Sequence, residues 1–262
     1  KGFGIARISK LIDTLKDYIQ KYGQDETTNI TLVTLQHYAD FEKKNHSDNP
    51  VLEKISKLFD SLQPIQIDQQ IGGTKIITKP SIEEAINFDY EAFFKSRFST
   101  RDFTDEKVDD SIVSAAIETA LYTPSVCNRQ AWKVYQISSD NVALRDKFLS
   151  VQNGNKGFGE YIGTLLVVTG KMSSFFSYER NQIFVDGGMF AMSVVMALHA
   201  KGLGTCCLNT SYTAEKNEAF YNIYPVDEDC VPIMFIAVGH LKEEYKVAVS
   251  KRKNLDEMLE KI

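Results

Sequence analysis

Cysteine is scarce in this 262-residue chain: Cys127, Cys206, Cys207 and Cys230 are the whole complement, and no two are spaced as CxxC. That excludes both a paired-cysteine zinc site and the even, short-range framework of a small secreted scaffold. Adjacent cysteines do not easily bond to each other, so reduced thiols and a cytoplasmic setting are expected. Histidine is thin as well. His37, His46, His199 and His240 are scattered, no HExxH occurs, and a zinc site has no support. Positive charge is in deficit, with 30 Lys and Arg against 35 Asp and Glu, a net charge of −5 and a pI near 5.5. A general affinity for nucleic acid is thereby excluded, while a local anion site remains open.

Familiar catalytic signatures are missing too. Without GxSxG there is no support for a serine hydrolase, and without GxxxxGK[ST] none for that type of nucleotide site. The glycines of GNKGFG (154–159) precede an apolar strand instead of following one, the wrong order for a dinucleotide fingerprint. No internal repeat, low-complexity segment, signal peptide or membrane span is read. The first residue is Lys1 and not methionine, which leaves a segment upstream open.

What the chain does have is an apolar run, Phe184 to Ala200, followed by KGLGTCCLN. From Met189 to Leu198 only Ser193 is polar. A helix there has no face to show to water and belongs in a core or a subunit interface; it is read as too short to span a bilayer. Gly202 suits the left-handed residue that ends a helix, and Gly204 allows a second piece of backbone or a flat ligand to come close.

Around this run the pattern is mixed. Ile8, Leu11, Ile12, Leu15, Tyr18, Ile19 and Tyr22 recur at three- and four-residue spacing, an amphipathic helix ending at Gly23. A second helix is expected between Thr28 and Lys44, and a third from Pro50 to a stop at Pro64. Residues 64–80, with Gly72, Gly73 and Pro80, read as a linker, which sets a helical extension over 1–80 apart from a main domain over 81–262. The main domain opens with an acidic helix (81–96) and interleaves helices with apolar strands near 131–137, 161–169, 206–208 and 231–238. Its tail, SKRKNLDEML, is a basic cluster before a last helix. Interleaving of this kind gives a layered α/β or α+β domain.

Three polar clusters stand at the ends of these elements. Arg97, Ser99 and Arg101 alternate, so in an extended segment two guanidinium forks and a hydroxyl point one way and suit a phosphate; pairing with Asp102, Asp105 or Glu106 is the competing reading. Asn128 and Gln130 occupy a turn between a helix and a strand, where amides either close the turn locally or bind a polar ligand. Lys251, Arg252 and Lys253 form a basic run that is either solvated or part of an anion site.

In their order, RFSTRDF, PSVCNRQAW, the buried helix with GLGT and the terminal KRK before an acidic segment, these pieces resemble the FMN-dependent nitroreductase family over about residue 88 to the end. The resemblance implies an α+β fold of three layers, α-β-α, with a mostly antiparallel sheet, here preceded by the helical extension. It implies an intertwined homodimer with FMN at each of two subunit interfaces, reduced by NADH or NADPH. On the matching positions, it assigns Arg97, Phe98, Ser99 and Arg101 to the flavin phosphate and pyrimidine edge, with Lys251 and Arg252 closing on the same phosphate. Ser125 and Asn128 would reach the flavin from the partner subunit, and the backbone of Cys207, Leu208 and Asn209 would lie near the ring's N5 and O4 edge. The chain departs from the family pattern at Ala131 and Asn254, where proline is usual. The activity implied is hydride transfer from NAD(P)H through flavin N5 to an organic small-molecule acceptor, a nitroaromatic, a quinone or similar, with no nucleic-acid or membrane partner. A specialised flavin dehydrogenase or reductive dehalogenase on the same scaffold, or a non-catalytic helical interaction protein, are the alternatives.

Overall fold

A computed structural model describes residues 3–46, 48–62, 68 and 71–262, and the chain divides into two compact units, Lys1–Phe88 and Asp89–Ile262. In the first unit the three- and four-residue spacing produces α1 (Ile5–Tyr22), which ends as its pattern predicts at Gly23, φ +84°, whose N–H bonds to the Ile19 carbonyl. Helix α2 (Glu26–Lys44) starts two residues earlier than its apolar pattern alone indicates. Asp25 accepts the Thr28 N–H at 2.9 Å while the Thr28 hydroxyl accepts the Asp25 N–H at 2.8 Å, a reciprocal cap that fixes the first turn. Helix α3 (Val51–Asp60) follows, with Pro50 as its cap and not its first residue. The three helices meet in a core of Ile12, Leu15, Leu32, Leu35, Ile55 and Leu58.

Pro64, to which the sequence assigned the stop of α3, lies outside the described residues, as does most of the first part of the expected linker. The helix itself ends at Asp60. The expected single helix over 81–96 is two: α4 (Lys79–Ala85) and, in the second unit, α5 (Tyr90–Lys95). The break is made by Asp89, whose carboxylate accepts the Ala92 N–H at 2.9 Å and starts a new helix.

The second unit continues through α6 (Asp110–Ala120), β1 (Trp132–Ile137), α7 (Val142–Val151), β2 (Thr164–Lys171), α8 (Gln182–Ala200), β3 (Leu203–Asn209), α9 (Ala214–Tyr221) and β4 (Cys230–His240). The sheet runs β1-β2-β4-β3, and each neighbouring pair is antiparallel. Strand alternation sends Leu166, Val168, Ile236 and Val238 into a core with α6 and α8, and Leu165, Val167, Phe235 and Ala237 into a second core that includes Phe148 of α7 and Phe220 of α9. This is the three-layer α+β architecture the sequence implied.

Two further expectations are corrected. Helix α8 has 19 residues and is long and apolar enough to cross a membrane by length and composition, so it is not too short to do so. In this fold it lies on the sheet through Phe190, Ala191, Val194, Val195 and Leu198, while Val185, Met189 and Met192 face outward from the single chain. The last helix expected in the tail is only a 3-10 turn, Leu255–Glu257. Leu255, Met258, Leu259 and Ile262 have helical spacing but are exposed, and a short helix with nothing to pack against does not pay for its own nucleation.

Candidate functional site

The RFSTR segment is held by the edge of the sheet. Thr100 donates its backbone N–H to the Thr205 carbonyl at 2.9 Å, and Ser99 pairs with Thr205 as a parallel bridge, so the segment lies along the outer edge of β3. Further on, Thr104 N–H bonds to the His240 carbonyl at 3.0 Å at the end of β4. Glycine makes this approach possible: a Cβ at Gly239 would stand 2.6 Å from the Phe103 ring, and one at Gly204 would stand 2.6 Å from Leu241 and 3.1 Å from Phe103. What stands against Gly204, where a second piece of backbone or a flat ligand was expected, is the side chains of Leu241, Phe103 and Thr100. Thr100 and Phe103 are buried, and Phe98, Ser99 and Arg101 remain exposed.

Beside them is a cavity of about 370 Å³, bounded on one side by Arg97, Phe98, Ser99 and Arg101 and on the other by tail residues 247–250 and Arg252. No carboxylate lines it. The competing reading, in which the arginines are neutralised by nearby acids, fails on the observed partners. Asp102 pairs with Lys242, and Glu106 lies 3.9 Å from His240. Among the described residues no ion pair is made by Arg97, Arg101 or Arg252; the guanidinium of Arg252 donates to the Ser250 carbonyl at 2.8 Å. Three guanidinium groups without an ion pair among the described residues and a hydroxyl stand around one cavity, in a chain of net charge −5, a donor set whose chemistry suits a multiply charged anion. Lys251 does not line it.

Cys207, Leu208 and Asn209 lie at the end of β3, with Leu208 buried and its neighbours exposed. They do not line the cavity. Because the Thr205 carbonyl points to the outer edge of the sheet, antiparallel alternation turns the main-chain groups of residues 207 and 209 to the same edge. The Asn209 carbonyl there accepts from Gln152 at 3.1 Å. Burial pushes the Cys206 thiol up, opposed by the positive charges of Arg101 and Arg97; the Cys207 thiol is likewise raised, chiefly by desolvation. Both are thiols and not thiolates at neutral pH, which argues against either as a nucleophile.

Ser125 and Asn128 belong to the turn that leads into β1, at the opposite edge of the sheet from β3. Three strand spacings separate the edges, about 14 Å, so one chain does not bring this turn to the arginine cavity. The turn is strained, with Cys127, Asn128 and Gln130 at φ +51°, +53° and +48°. Each left-handed non-glycine residue costs about 1–2 kcal/mol. The side-chain amides of Asn128 and Gln130 do not close it; Ser125 does, its hydroxyl accepting the Gln130 N–H at 3.0 Å and its carbonyl the Asn128 N–H at 3.0 Å.

Sequence reasoning missed what supports this turn. Asp186, 3% exposed inside α8, accepts the Val126 N–H at 3.1 Å and the Gln182 side-chain amide at 2.8 Å. Arg129 donates to Glu179 at 2.6 Å and lies over the rings of Phe175 and Phe176, 5.6 and 5.4 Å from their centroids. The signal was present: Asp186 is the one acidic residue in the run Phe184–Ala200, and a lone carboxylate in an apolar helix requires buried donors.

A model of the nitroreductase family matches residues 94–156. Among solved structures, a protein of Staphylococcus epidermidis considered an NAD(P)H:FMN oxidoreductase is similar with a TM-score of 0.58 and 19% identity, over 72% of this chain and 100% of that one. A protein of Desulfovibrio desulfuricans, considered a nitroreductase and solved in complex with FMN, gives 0.54 and 20%, over 66% of this chain and 96% of that one. An FMN-dependent nitroreductase of Clostridium difficile gives 0.52 and 18%, over 63% and 92%. At these identities the structures speak for the fold. The resemblance to the nitroreductase family thus holds in sequence over residues 94–156 and in fold over about two thirds of the chain.

Proposed function

We propose that the protein is an oxidoreductase that binds FMN and passes a hydride from NAD(P)H to an organic acceptor such as a nitroaromatic or a quinone. The observation that carries this reading is the cluster of Arg97, Arg101 and Arg252 around Ser99, without a carboxylate in the cavity wall. A phosphate ester is a dianion with acceptor oxygens on every side, and forked donors at several angles match it. The donor set therefore fits the phosphorylated tail of FMN, and a volume of about 370 Å³ is within the range of small-ligand sites. The similar structures named for FMN support the same cofactor.

The second half of the reading is a homodimer. Ser125 and Asn128 lie at the opposite sheet edge from Arg97 and Arg101, so both groups serve one flavin only when they come from two copies. The outward face of α8, Val185, Met189 and Met192, supplies an apolar surface for that association. A twofold interface is self-complementary, so one contact creates two sites.

Bound there, FMN would supply the redox chemistry, hydride transfer by way of N5 between the nicotinamide and the acceptor. The chain's part is binding and electrostatics. Arg97, Ser99, Arg101 and Arg252, with Lys251 nearby, hold the phosphate, and Phe98 bounds the cavity. In the Cys207–Asn209 stretch, the main-chain N–H groups of Cys207 and Asn209, turned to the outer edge of β3 on either side of Leu208, are the donors we assign to the N5 and O4 side of the ring, where negative charge would develop on reduction. Asn128 and Ser125 complete the site from the partner. No side chain is assigned as catalytic acid or base. Four free cysteines support a reducing, cytoplasmic setting.

The test is anaerobic. Protein purified with FMN is expected to be yellow, to lose its flavin absorbance on addition of NADPH or NADH, and to recover it with a nitroaromatic or quinone. Protein that neither carries nor takes up FMN would overturn the reading.

A further inference from the structure

Asp186 is the only acidic residue in the largely apolar run Phe184–Ala200, and it is only 3% exposed. A carboxylate in such a place needs donors, and both of its oxygens have one. Oδ2 accepts the Val126 N–H at 3.1 Å, and Oδ1 accepts the Gln182 amide at 2.8 Å. The first bond crosses from α8 to the turn 125–130, immediately before two consecutive left-handed residues, Cys127 and Asn128. Left-handed non-glycine residues persist only where their surroundings over-determine them, and such residues gather at binding sites. Here the restraints are all visible. Asp186 anchors the entry of the turn, Ser125 bridges it, and the Arg129–Glu179 pair holds its exit. These restraints leave two amide side chains of the turn exposed and without a hydrogen bond among the described residues, Asn128 and Gln130, and Asn128 is the one that belongs to the left-handed pair following Val126.

We infer that Asp186 is a positioning residue: through the Val126 N–H it fixes the left-handed turn that aims the Asn128 amide, and so sets flavin affinity without touching the flavin. This rests on the assignment of FMN to the site. A carboxylate retained merely to satisfy the end of α8 would act on stability alone. One acting through Asn128 must lose its effect when Asn128 has no amide to aim.

A double-mutant cycle on the full chain separates the two, with the dissociation constant for FMN read by quenching of its fluorescence. Asp186→Ala is expected to weaken FMN binding about tenfold, the effect of one lost charge-assisted hydrogen bond. Asp186→Asn keeps an oxygen acceptor for Val126 and is expected to restore most of that loss. In an Asn128→Ala background, Asp186→Ala should cost no more than about twofold, since residues acting as one unit are not additive. Equal losses in both backgrounds would overturn the inference. If Asp186→Ala does not fold, Asp186→Asn carries the cycle, with a smaller loss that must also vanish beside Asn128→Ala. Wild-type protein that does not bind FMN would sink the functional reading itself, and the inference with it; tight wild-type binding with additive losses would sink the inference alone.

Discussion

The main-chain N–H of Thr100 and the carbonyl of Thr205 are 2.9 Å apart, and this bond ties the arginine segment to the edge of the sheet. It converts a loop into a partial fifth strand. Once Thr100 is turned inward and buried, Ser99 and Arg101 on either side of it are turned outward, so the direction of the anion-binding groups is set by backbone pairing and not by the side chains themselves. Placement on a rigid edge is what lets arginine, with its long flexible stem, act as a defined donor.

The close approach has a measurable cost if violated. Gly239→Ala places a methyl group 2.6–2.9 Å from three atoms of Phe103. Overpacking of this kind destabilises by about 1–3 kcal/mol, and in a domain of this size each kcal/mol lowers the melting temperature by roughly 2–4 °C. Calorimetry should find that decrease. Because Phe103 anchors the arginine segment, FMN affinity should fall in the same variant. An unchanged melting temperature would mean that Phe103 is not seated on the sheet as described.

Arg252 should discriminate the phosphate from the ring. Arg252→Ala is expected to weaken FMN binding by at least about tenfold, the scale of one lost charge-assisted contact. Riboflavin, which lacks the phosphate, should bind the variant and the wild type alike. The FMN affinity of the wild type should also fall with added salt more steeply than that of the variant. Parallel losses for FMN and riboflavin would remove Arg252 from the phosphate site.

Much of this was legible in the sequence, and the reasons differ from residue to residue. Helix α1 and its end at Gly23 follow from spacing and a left-handed glycine, both local properties. The alternation of Arg97, Ser99 and Arg101 was legible for the same reason; what it could not give was the fate of Asp102, which depends on Lys242, distant in the chain. The break at Asp89 was lost because a capping carboxylate competes with helix continuation on equal local terms. The role of Asp186 was hidden because its partner, Val126, is 60 residues away and contributes only a main-chain N–H, which no side-chain pattern records. Which face of α8 meets its own chain was not legible, because an all-apolar run places a helix in a core or an interface without saying which side faces which.

The thiols of buried Cys206 and of exposed but partly desolvated Cys207 give a pH dependence whose sign can be worked out. Burial raises the Cys206 thiol above its ordinary value, and desolvation raises that of Cys207. Above about pH 8.5, the ordinary thiol range, the unfolded chain releases these protons while the folded chain keeps them. The folded state then binds more protons, so the free energy of unfolding falls as pH rises. Below that range the two states are alike in these groups and nothing is lost. Denaturant melts between about pH 8 and pH 10 should show this decline, and a Cys206→Ala, Cys207→Ala double variant should show less of it. An equal slope in both proteins would assign the decline to other groups.

The position of the two half-sites on opposite sheet edges permits a test by complementation. Arg101→Ala removes one half of the proposed site and Asn128→Ala the other, so a homodimer of either variant has two damaged sites. In a mixed dimer the arithmetic changes. One site receives both substitutions, whereas the other takes Arg101 from the Asn128→Ala copy and Asn128 from the Arg101→Ala copy, and is whole. If the copies mix at random in equal amounts, half of the dimers are mixed and about a quarter of all sites are restored. Co-refolding the two variants and titrating FMN should therefore reveal a class of wild-type affinity amounting to about a quarter of the sites, absent from either variant alone. The same class should disappear when Met189→Glu and Met192→Glu are added to both copies, because charges on the outward face of α8 oppose burial of that surface. If each site is instead built within a single chain, mixing restores nothing, and sedimentation showing dimers without restored sites would refute the shared arrangement while leaving the arginine cavity intact.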